Sequence, residues 1–124
     1  MTDSSQTITP TYPGKAPGES RNGYAFAAIK KDGSVITWGD GRYGGDSSVV
    51  ADEIDAYNGT PAVAQVFSST YAFAALREDG SVVTWGRDSW GGDSSSVADA
   101  IDADGTPAVT QIFSTERAFA ALRE

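Results

Sequence analysis

The sequence predicts a mostly β fold made of two full repeats and a partial third, with a short helix in one connection of each full repeat. The first observation is repetition. Tyr24-Ala-Phe-Ala-Ala-Ile returns in similar form at Tyr71, which is 47 residues later, and at Arg117, which is a further 46 residues along the chain. The second is an Asp-Gly turn followed by a strand-type segment ending in Trp-Gly, present in both full copies. The third is that helical periodicity is confined to one insert per repeat. Periods of about 20 to 50 residues are typical of solenoids, propellers and arrays.

The repeat boundaries follow from these copies. We assign 24–70 to the first repeat, 71–116 to the second and 117–124 to a partial third. Residues 1–23 are rich in Pro, Gly, Ser and Thr, which is typical of a flexible or extended leader. An extended stretch such as 6–9 could still add a strand at a sheet edge.

Each hairpin is predicted from two segments on either side of the Asp-Gly turn. In the second repeat Ala72–Arg77 is a short apolar run, and 81–85 is rich in β-branched and aromatic residues, which favour strands. Gly80 can adopt a positive φ in the turn between them, and Gly33 has the same place in the first repeat. Alternating residues at 63–67 and 109–113 predict a further strand before each later hairpin.

A short helix is predicted between each hairpin and the next strand. Asp93 and the serines after it are residue types that begin helices. Val97 and Ile101 are four residues apart, and the alanines between them favour a helix. The sequence therefore predicts one to three helical turns near 95–103 and, in the first repeat, near 48–57.

Composition excludes several classes of function. The 124 residues carry 9 Lys or Arg against 17 Asp or Glu, so the net charge is −8. Such a field repels phosphate groups, so we expect no nucleic-acid partner. No apolar run approaches the roughly 20 residues that a membrane helix needs, so we expect no membrane insertion. The chain has no Cys and no His, which removes thiol catalysis, thiolate metal sites and Ser-His pairs, and we expect no cofactor. No signal peptide is visible at the N-terminus.

The hairpin with its flanks resembles the repeat of the regulator of chromosome condensation family. That repeat has a small-residue strand ending in Ala-Leu, an Asp-Gly turn, a strand ending in Trp-Gly, and a Gly-rich bend. The matching residues here are Ala75-Leu76, Asp79-Gly80, Val82, Trp85-Gly86, Asp88 and Gly91, with counterparts in the first repeat. The resemblance covers 24–124 and implies blades of a β-propeller. The family's usual His before the Ala-Leu strand is absent here, so its nucleotide-exchange role is not carried over.

The number of repeats leaves three arrangements open. Propellers typically have about 4 to 8 blades, and open sheet edges promote pairing. The chain could be a fragment of a longer repeat protein, several copies could assemble into a ring, or the repeats could close on each other. In the last two cases we expect Ala118 to Leu122 to pair with the hairpin of Asp32 to Trp38.

The candidate ligand site lies in the loops that follow each Trp-Gly. Tyr43 and Trp90 hold equivalent positions there, with Arg42, Asp46 and Asp93 nearby. An aromatic face beside carboxylates is a common way of holding sugars. The alternative is local: the ring covers the sheet edge and the carboxylates begin the helices.

Other residues are assigned structural roles. Trp38 and Trp85 are expected in the core or between sheets, with each indole N–H donating to a backbone carbonyl. Five phenylalanines are also expected in the core: Phe26, Phe67, Phe73, Phe113 and Phe119. Several aspartates offer oxygen ligands for calcium, but their spacing matches no calcium motif, and we assign no metal site.

These observations predict a non-enzymatic binding or scaffold module. Every loop motif occurs twice, whereas active sites are usually single, and duplicated sites favour multivalent binding. We expect recognition of protein or glycan through the repeat loops, together with self-association through open strand edges. The alternatives are a purely structural ring or fibre unit and a multivalent lectin. The near-duplicate repeats and absent Cys suggest a secreted or cell-surface bacterial protein.

Overall fold

The computed structural model describes residues 9–10, 22–55, 60–101 and 108–124. These residues form a mostly β structure of three small antiparallel sheets, which confirms the predicted class. The sheets have the strand orders β1–β2–β3, β4–β5–β6 and β7–β8. The strands are β1 Thr9–Pro10, β2 Ala25–Ile29, β3 Val35–Gly39, β4 Val63–Ser68, β5 Ala72–Arg77, β6 Val82–Gly86, β7 Val109–Ser114 and β8 Phe119–Arg123. Most of the predicted leader lies outside the described residues.

The two complete hairpins have the same register. Phe26 is paired with Trp38 in the first, and Phe73 is paired with Trp85 in the second. In the second turn the Asp79 carboxylate accepts hydrogen bonds from the backbone N–H and the hydroxyl of Ser81, at 2.9 and 2.6 Å. The first turn repeats this arrangement, so the sequence repeat is also a repeat of hydrogen bonds.

The turn glycines join one repeat to the next. Gly33 and Gly80 have φ values of +87° and +86°, as predicted. A β-carbon at Gly80 would overlap the side chain of Ala108, so the turn needs glycine for close approach as well as for its φ. The Gly33 carbonyl accepts from the backbone N–H of Val63 at 2.8 Å, and that of Gly80 accepts from Val109 at 2.9 Å.

The first core lies between the β2–β3 hairpin and the β4–β5–β6 sheet. Phe73 and Trp85 are 0% and 1% exposed and stack with a centroid distance of 5.5 Å. The Trp85 indole N–H donates to the Gly44 carbonyl at 3.1 Å, as the sequence predicts. Gly44 has a φ of +108°, and a β-carbon there would overlap the ring of Phe73. The second repeat therefore buries its aromatic pair on the loop of the first.

The second core lies between β4–β5–β6 and β7–β8. Its buried residues are Ala74, Leu76, Val109 and Ile112. Phe119 packs beside them and lies on Gly91, the counterpart of Gly44. Among the described strands, none has the place beside β8 that β6 has beside β5.

Three residues expected in the core are largely exposed. Phe26, Trp38 and Phe113 are 42%, 48% and 51% exposed. Phe26 and Trp38 stack on each other as Phe73 and Trp85 do, but no described glycine loop lies on them as Gly44 lies on the second pair. The assignment of these three residues to the core was therefore wrong. It assumed that residues at equivalent positions in the repeat are equally buried.

Both predicted short helices are present, and their lengths lie within the predicted one to three turns. A single turn forms α1, Ala51–Ile54, and another forms α2, Ala98–Ile101. A 3-10 turn precedes each, at Ser48–Val50 and Ser95–Val97. The C-terminal ends of the predicted helices fall in 56–59 and 102–107, which lie outside the described residues. Ile54 is buried and fixes α1 to the first core.

Candidate binding surface

The loop after each Trp-Gly has the same conformation in both repeats. A glycine with a φ of +114° ends the strand, at Gly39 and at Gly86. A 3-10 turn follows, Gly41–Tyr43 in the first repeat and Asp88–Trp90 in the second. A second glycine of positive φ ends that turn, so Tyr43 and Trp90 have equivalent places in space as well as in sequence.

Side chains from neighbouring segments hold these loops. The Asn22 amide donates to the Tyr43 carbonyl at 2.6 Å, and the Ser69 hydroxyl donates to the Trp90 carbonyl at 2.7 Å. From the preceding strand, the Thr84 hydroxyl donates to the Gly92 carbonyl at 3.1 Å. Two aromatic side chains are thus presented on fixed backbone, which lowers the entropic cost of binding a partner.

Four aromatic rings from different repeats form a continuous series. Tyr43 lies 5.0 Å from Tyr24 and stacks on Tyr71 at 4.3 Å, measured between ring centroids. Tyr71 and Trp90 are in an edge-to-face arrangement with a centroid distance of 4.4 Å. Tyr71 belongs to the second repeat, so it links the two predicted loop residues.

Arginines lie over this series. The Arg42 guanidinium is 5.1 Å from the Tyr43 centroid, Arg87 is 5.9 Å from the same ring, and Arg117 is 4.6 Å from the Trp90 ring. These are cation–π distances. We call the whole set the aromatic–arginine ladder, and it consists of Tyr24, Tyr43, Tyr71, Trp90, Arg42, Arg87 and Arg117.

Charge along the ladder is uneven. Arg42 donates to both carboxylate oxygens of Asp40, at 3.1 and 2.8 Å. Hydrogen bonds from the Arg42 side chain and backbone lower the pKa of Asp40 to about 2. Arg87 and Arg117 form no ion pair with a described residue, so they carry positive charge at the surface of an acidic protein.

Neighbouring groups cover part of the surface of Tyr43 and Trp90, which are both only partly exposed. Tyr43 has Tyr71 stacked on it, and Trp90 lies between Tyr71 and Arg117. Tyr24 is the ring most open to solvent, at 50% exposure. A hydrogen bond with Tyr24 is the largest cause of the raised pKa of Tyr71, followed by burial. Ring edges, hydroxyls and guanidinium groups are therefore the groups presented along the ladder.

The predicted carboxylates serve the local backbone. Asp46 accepts from the backbone N–H of Ser48 at 3.0 Å, and Asp93 accepts from that of Ser95 at 2.9 Å. The hydrogen bonds with these serines lower the pKa of both aspartates. No described hydrogen bond or ion pair joins either to the ladder. The structure thus brings together Tyr43, Trp90 and Arg42 through Tyr71, and places Asp46 and Asp93 at the starts of helical turns.

Sequence reasoning did not include four members of the ladder: Tyr24, Tyr71, Arg87 and Arg117. A signal was present, because Tyr24, Tyr71 and Arg117 open the three copies and therefore share a repeat position. The sequence does not show that the residue at this position contacts the loop of the preceding repeat, because that contact depends on how the repeats stack.

The described residues show neither a metal cluster nor a membrane-spanning helix. In 22–55, 60–101 and 108–124 no group of three or more acidic side chains lies together in a way that could hold a metal ion. None of the described helices has the length and hydropathy needed to cross a bilayer. No protein-family model, curated protein or solved structure matches the chain. The resemblance to the regulator of chromosome condensation repeat therefore stays a prediction.

Proposed function

We propose that the chain is a non-enzymatic binding and scaffold module, whose propeller-type repeats recognise a protein or glycan through their loops and associate with further repeats. The observation that carries this proposal is the aromatic–arginine ladder, which joins residues of all three repeats into one surface. A surface shared between repeats is suited to a ligand that contacts several repeats at once, so that weak contacts add.

A protein ligand fits the ladder better than a glycan. Tyr, Trp and Arg are the residues most enriched at the energetic centres of protein interfaces. A sugar needs an open ring face for stacking, whereas Tyr43 has one face stacked on Tyr71 and Trp90 has Arg117 over its ring. Because Arg87 and Arg117 add positive charge, we expect a peptide segment with acidic and aromatic residues.

A second candidate is a purely structural assembly unit. It is favoured by the half-exposed Trp38, whose counterpart Trp85 is fully buried by a neighbouring repeat. The lectin alternative rests on Tyr24, the ladder ring with the largest exposed fraction.

The ligand part of the proposal is tested with a phage-displayed random peptide library and a glycan array. The probes are the wild-type chain, the double variant Tyr43→Ala with Trp90→Ala, and Val49→Ala. Val49 is 85% exposed and has no part in the ladder, so Val49→Ala is a matched loss of exposed apolar surface. Thermal unfolding followed by circular dichroism checks that all three chains fold.

We expect acidic, aromatic peptides to be enriched on the wild type and on Val49→Ala and to be lost on the double variant. Glycan binding without peptide binding would contradict the choice of a peptide ligand and favour the lectin alternative. If the chain binds neither peptides nor glycans, the ligand part of the proposal is wrong, and the purely structural assembly unit is the candidate that remains.

A further inference from the structure

Tyr24 and Tyr71 have the same position in consecutive repeats and meet in space. Each opens its repeat, and the two are 47 residues apart in the sequence. Their ring centroids lie 5.2 Å apart, with an angle of 46° between the ring planes. A hydrogen bond with Tyr24 is the largest cause of the raised pKa of Tyr71, so the two hydroxyl groups lie beside each other. The stacking of the repeats thus brings together two phenols that are distant along the chain.

This pair differs from the other pair that Tyr71 forms with a tyrosine. Tyr43 and Tyr71 stack with a centroid distance of 4.3 Å and an angle of 26°, so these two rings present faces to each other. Tyr24 and Tyr71 are tilted, and their contact includes the hydroxyl groups. Two phenol rings that couple after oxidation do so at the ring carbons next to the hydroxyl groups. Contact near the hydroxyl groups favours that reaction, whereas stacking of faces does not.

The composition leaves the aromatic side chains as the main groups open to one-electron oxidation. The sequence contains no cysteine and no histidine, and Met1 is its only methionine. Tyr24 is 50% exposed, so an oxidant in solution reaches it and water takes up its phenolic proton. The Arg117 guanidinium, 4.6 Å from the Trp90 centroid, disfavours a radical cation on Trp90. A tyrosyl radical that has released its proton is neutral and does not have this cost.

We propose that Tyr24 and Tyr71 form an oxidative cross-linking site, at which a peroxidase-type one-electron oxidant joins the two rings as dityrosine. The new bond links the two ring carbons that lie next to the hydroxyl groups. In the product the two hydroxyl groups lie side by side, which is the arrangement that Tyr24 and Tyr71 have before the reaction. The folded chain therefore holds the two reactants close to the geometry of the product, and such positioning accelerates a reaction between two groups.

The order of steps follows from the exposure of Tyr24 and its contact with Tyr71. Tyr24 loses the first electron to the oxidant and its proton to water. The resulting radical takes a hydrogen atom from the neighbouring Tyr71 hydroxyl, which restores Tyr24 and leaves the radical on Tyr71. A second oxidation of Tyr24 places two radicals side by side, and these couple carbon to carbon. The hydrogen atom on each coupling carbon then moves to the oxygen of its own ring.

Electrons and protons balance in this reaction. The two rings together lose two electrons and two protons, which reduce one hydrogen peroxide to two water molecules through the peroxidase. Two ring C–H bonds break, one C–C bond forms, and both hydroxyl groups remain. The cross-linked chain therefore contains two hydrogen atoms fewer than the untreated chain.

The cross-link fastens the first repeat to the second. It closes a loop of 47 residues, and a covalent link of that span restricts the unfolded chain. A chain without cysteine forms no disulfide, so an oxidised tyrosine pair supplies a covalent link of another kind. This inference goes beyond ligand recognition, because it depends on the contact of Tyr24 with Tyr71 and on no ligand.

The test is treatment of the folded chain with a peroxidase and hydrogen peroxide, at a low protein concentration where encounters between chains are rare. Dityrosine is measured by its blue fluorescence, and trypsin digestion followed by mass spectrometry locates the link. The expected product joins the peptides 22–30 and 43–77, which contain Tyr24 and Tyr71. Fragmentation of that product assigns the link to Tyr71 among the tyrosines of the second peptide.

The variants are Tyr24→Phe and Tyr71→Phe, which each remove one hydroxyl and keep the ring in the aromatic–arginine ladder. Tyr43→Phe is the matched control, because it removes a hydroxyl from the same ladder and leaves the cross-linking pair unchanged. The wild type in urea shows how much coupling occurs in the unfolded chain. Circular dichroism checks that each variant folds.

We expect intrachain dityrosine to fall at least about tenfold in Tyr24→Phe, in Tyr71→Phe and in urea, and to persist in Tyr43→Phe. The cross-linked wild type should unfold at a temperature about 10 °C higher than the untreated chain.

Cross-linking that is unaffected by Tyr71→Phe, that is lost in Tyr43→Phe, or that occurs only between chains contradicts the proposal. Folded wild type that forms no dityrosine also contradicts it. An unchanged unfolding temperature would show that the link does not fasten the repeats. Peptide binding to the Tyr43 and Trp90 loops is measured separately on the untreated chain, so either proposal can fail alone.

Discussion

The β2–β3 and β5–β6 hairpins have almost the same sequence and opposite surroundings. Both stack a phenylalanine on a tryptophan with a centroid distance of 5.5 Å and turn through the same Asp-Gly-Ser arrangement. Trp85 is buried under the Gly44 loop, whereas Trp38 is half exposed. Local sequence therefore determines the shape of a hairpin, and the preceding repeat determines whether its aromatic pair is buried.

The largest expected difference between the hairpins is the cost of truncating their tryptophans. Trp85→Ala removes a buried ring and its hydrogen bond, so we expect a loss of about 3 to 5 kcal/mol in the free energy of unfolding. Trp38→Ala removes a half-exposed ring and should cost about 1 kcal/mol or less in the dilute monomer. Urea unfolding at low protein concentration measures both. Equal losses would mean that the two aromatic pairs have similar surroundings.

The second difference concerns the glycines on which the aromatic rings rest. Gly44→Ala combines a positive φ with overlap of the buried Phe73, so we expect a loss of about 2 to 4 kcal/mol. Gly91→Ala has the same backbone strain, but Phe119 is on the poorly buried β8 and can move, so about 1 to 2 kcal/mol is expected.

Gly23→Ala is the control for these glycine substitutions, because nothing lies within 4 Å of the position of its β-carbon. Thermal unfolding ranks the three variants. An equal loss of stability for Gly44→Ala and Gly91→Ala would show that Phe119 on β8 is packed as rigidly against its glycine as Phe73 on β5 is.

A third prediction concerns a feature in which the repeats should agree. The Thr37 hydroxyl donates to Gly45, and that of Thr84 donates to Gly92, at 3.0 and 3.1 Å. Thr37→Val and Thr84→Val should each cost about 0.5 to 1.5 kcal/mol, since each removes one hydroxyl donor to a loop carbonyl. Chemical denaturation of the two variants should give losses within error of each other, and a clear inequality would show that the loops are not held alike.

The smallest expected effect is a difference in acid sensitivity. Arg42 lowers the pKa of Asp40 from its ordinary value of 3.8 to about 2, and the second repeat has Arg87 in place of that aspartate. A lowered pKa in the folded state stabilises the protein above the unfolded value, and this contribution is lost as the pH falls from about 4 to about 2.

Asp40→Asn should therefore make the unfolding free energy fall less steeply in that pH range. Asp55→Asn is the matched control, because it also removes an exposed carboxylate and has no described hydrogen bond. Unfolding curves from pH 6 to pH 2 measure how steeply the unfolding free energy depends on pH. The same dependence for the wild type and Asp40→Asn would show that the ion pair of Asp40 with Arg42 does not stabilise the fold.

Much of the fold could be predicted because it depends on local chemistry. The Asp-Gly turns, the Trp-Gly strands and the positive φ of Gly33 and Gly80 follow from patterns within one repeat. The exposure of Trp38 and the contact of Tyr71 with Tyr43 could not be predicted, because both depend on which repeat lies beside which. The site was found in part for the same reason: Tyr43 and Trp90 lie within visible motifs, whereas their link through Tyr71 crosses between repeats.

The central claim is that a repeat's tryptophan is buried by the loop of the preceding repeat. Hydrogen exchange of the indole N–H groups, followed by NMR where light scattering gives the mass of one chain, tests it most directly. Single Trp→Phe variants assign the three signals. We predict that the Trp85 indole N–H is strongly protected by its bond to Gly44 and that the Trp38 indole N–H exchanges rapidly. Equal protection of Trp38 and Trp85 in the monomer would contradict the account.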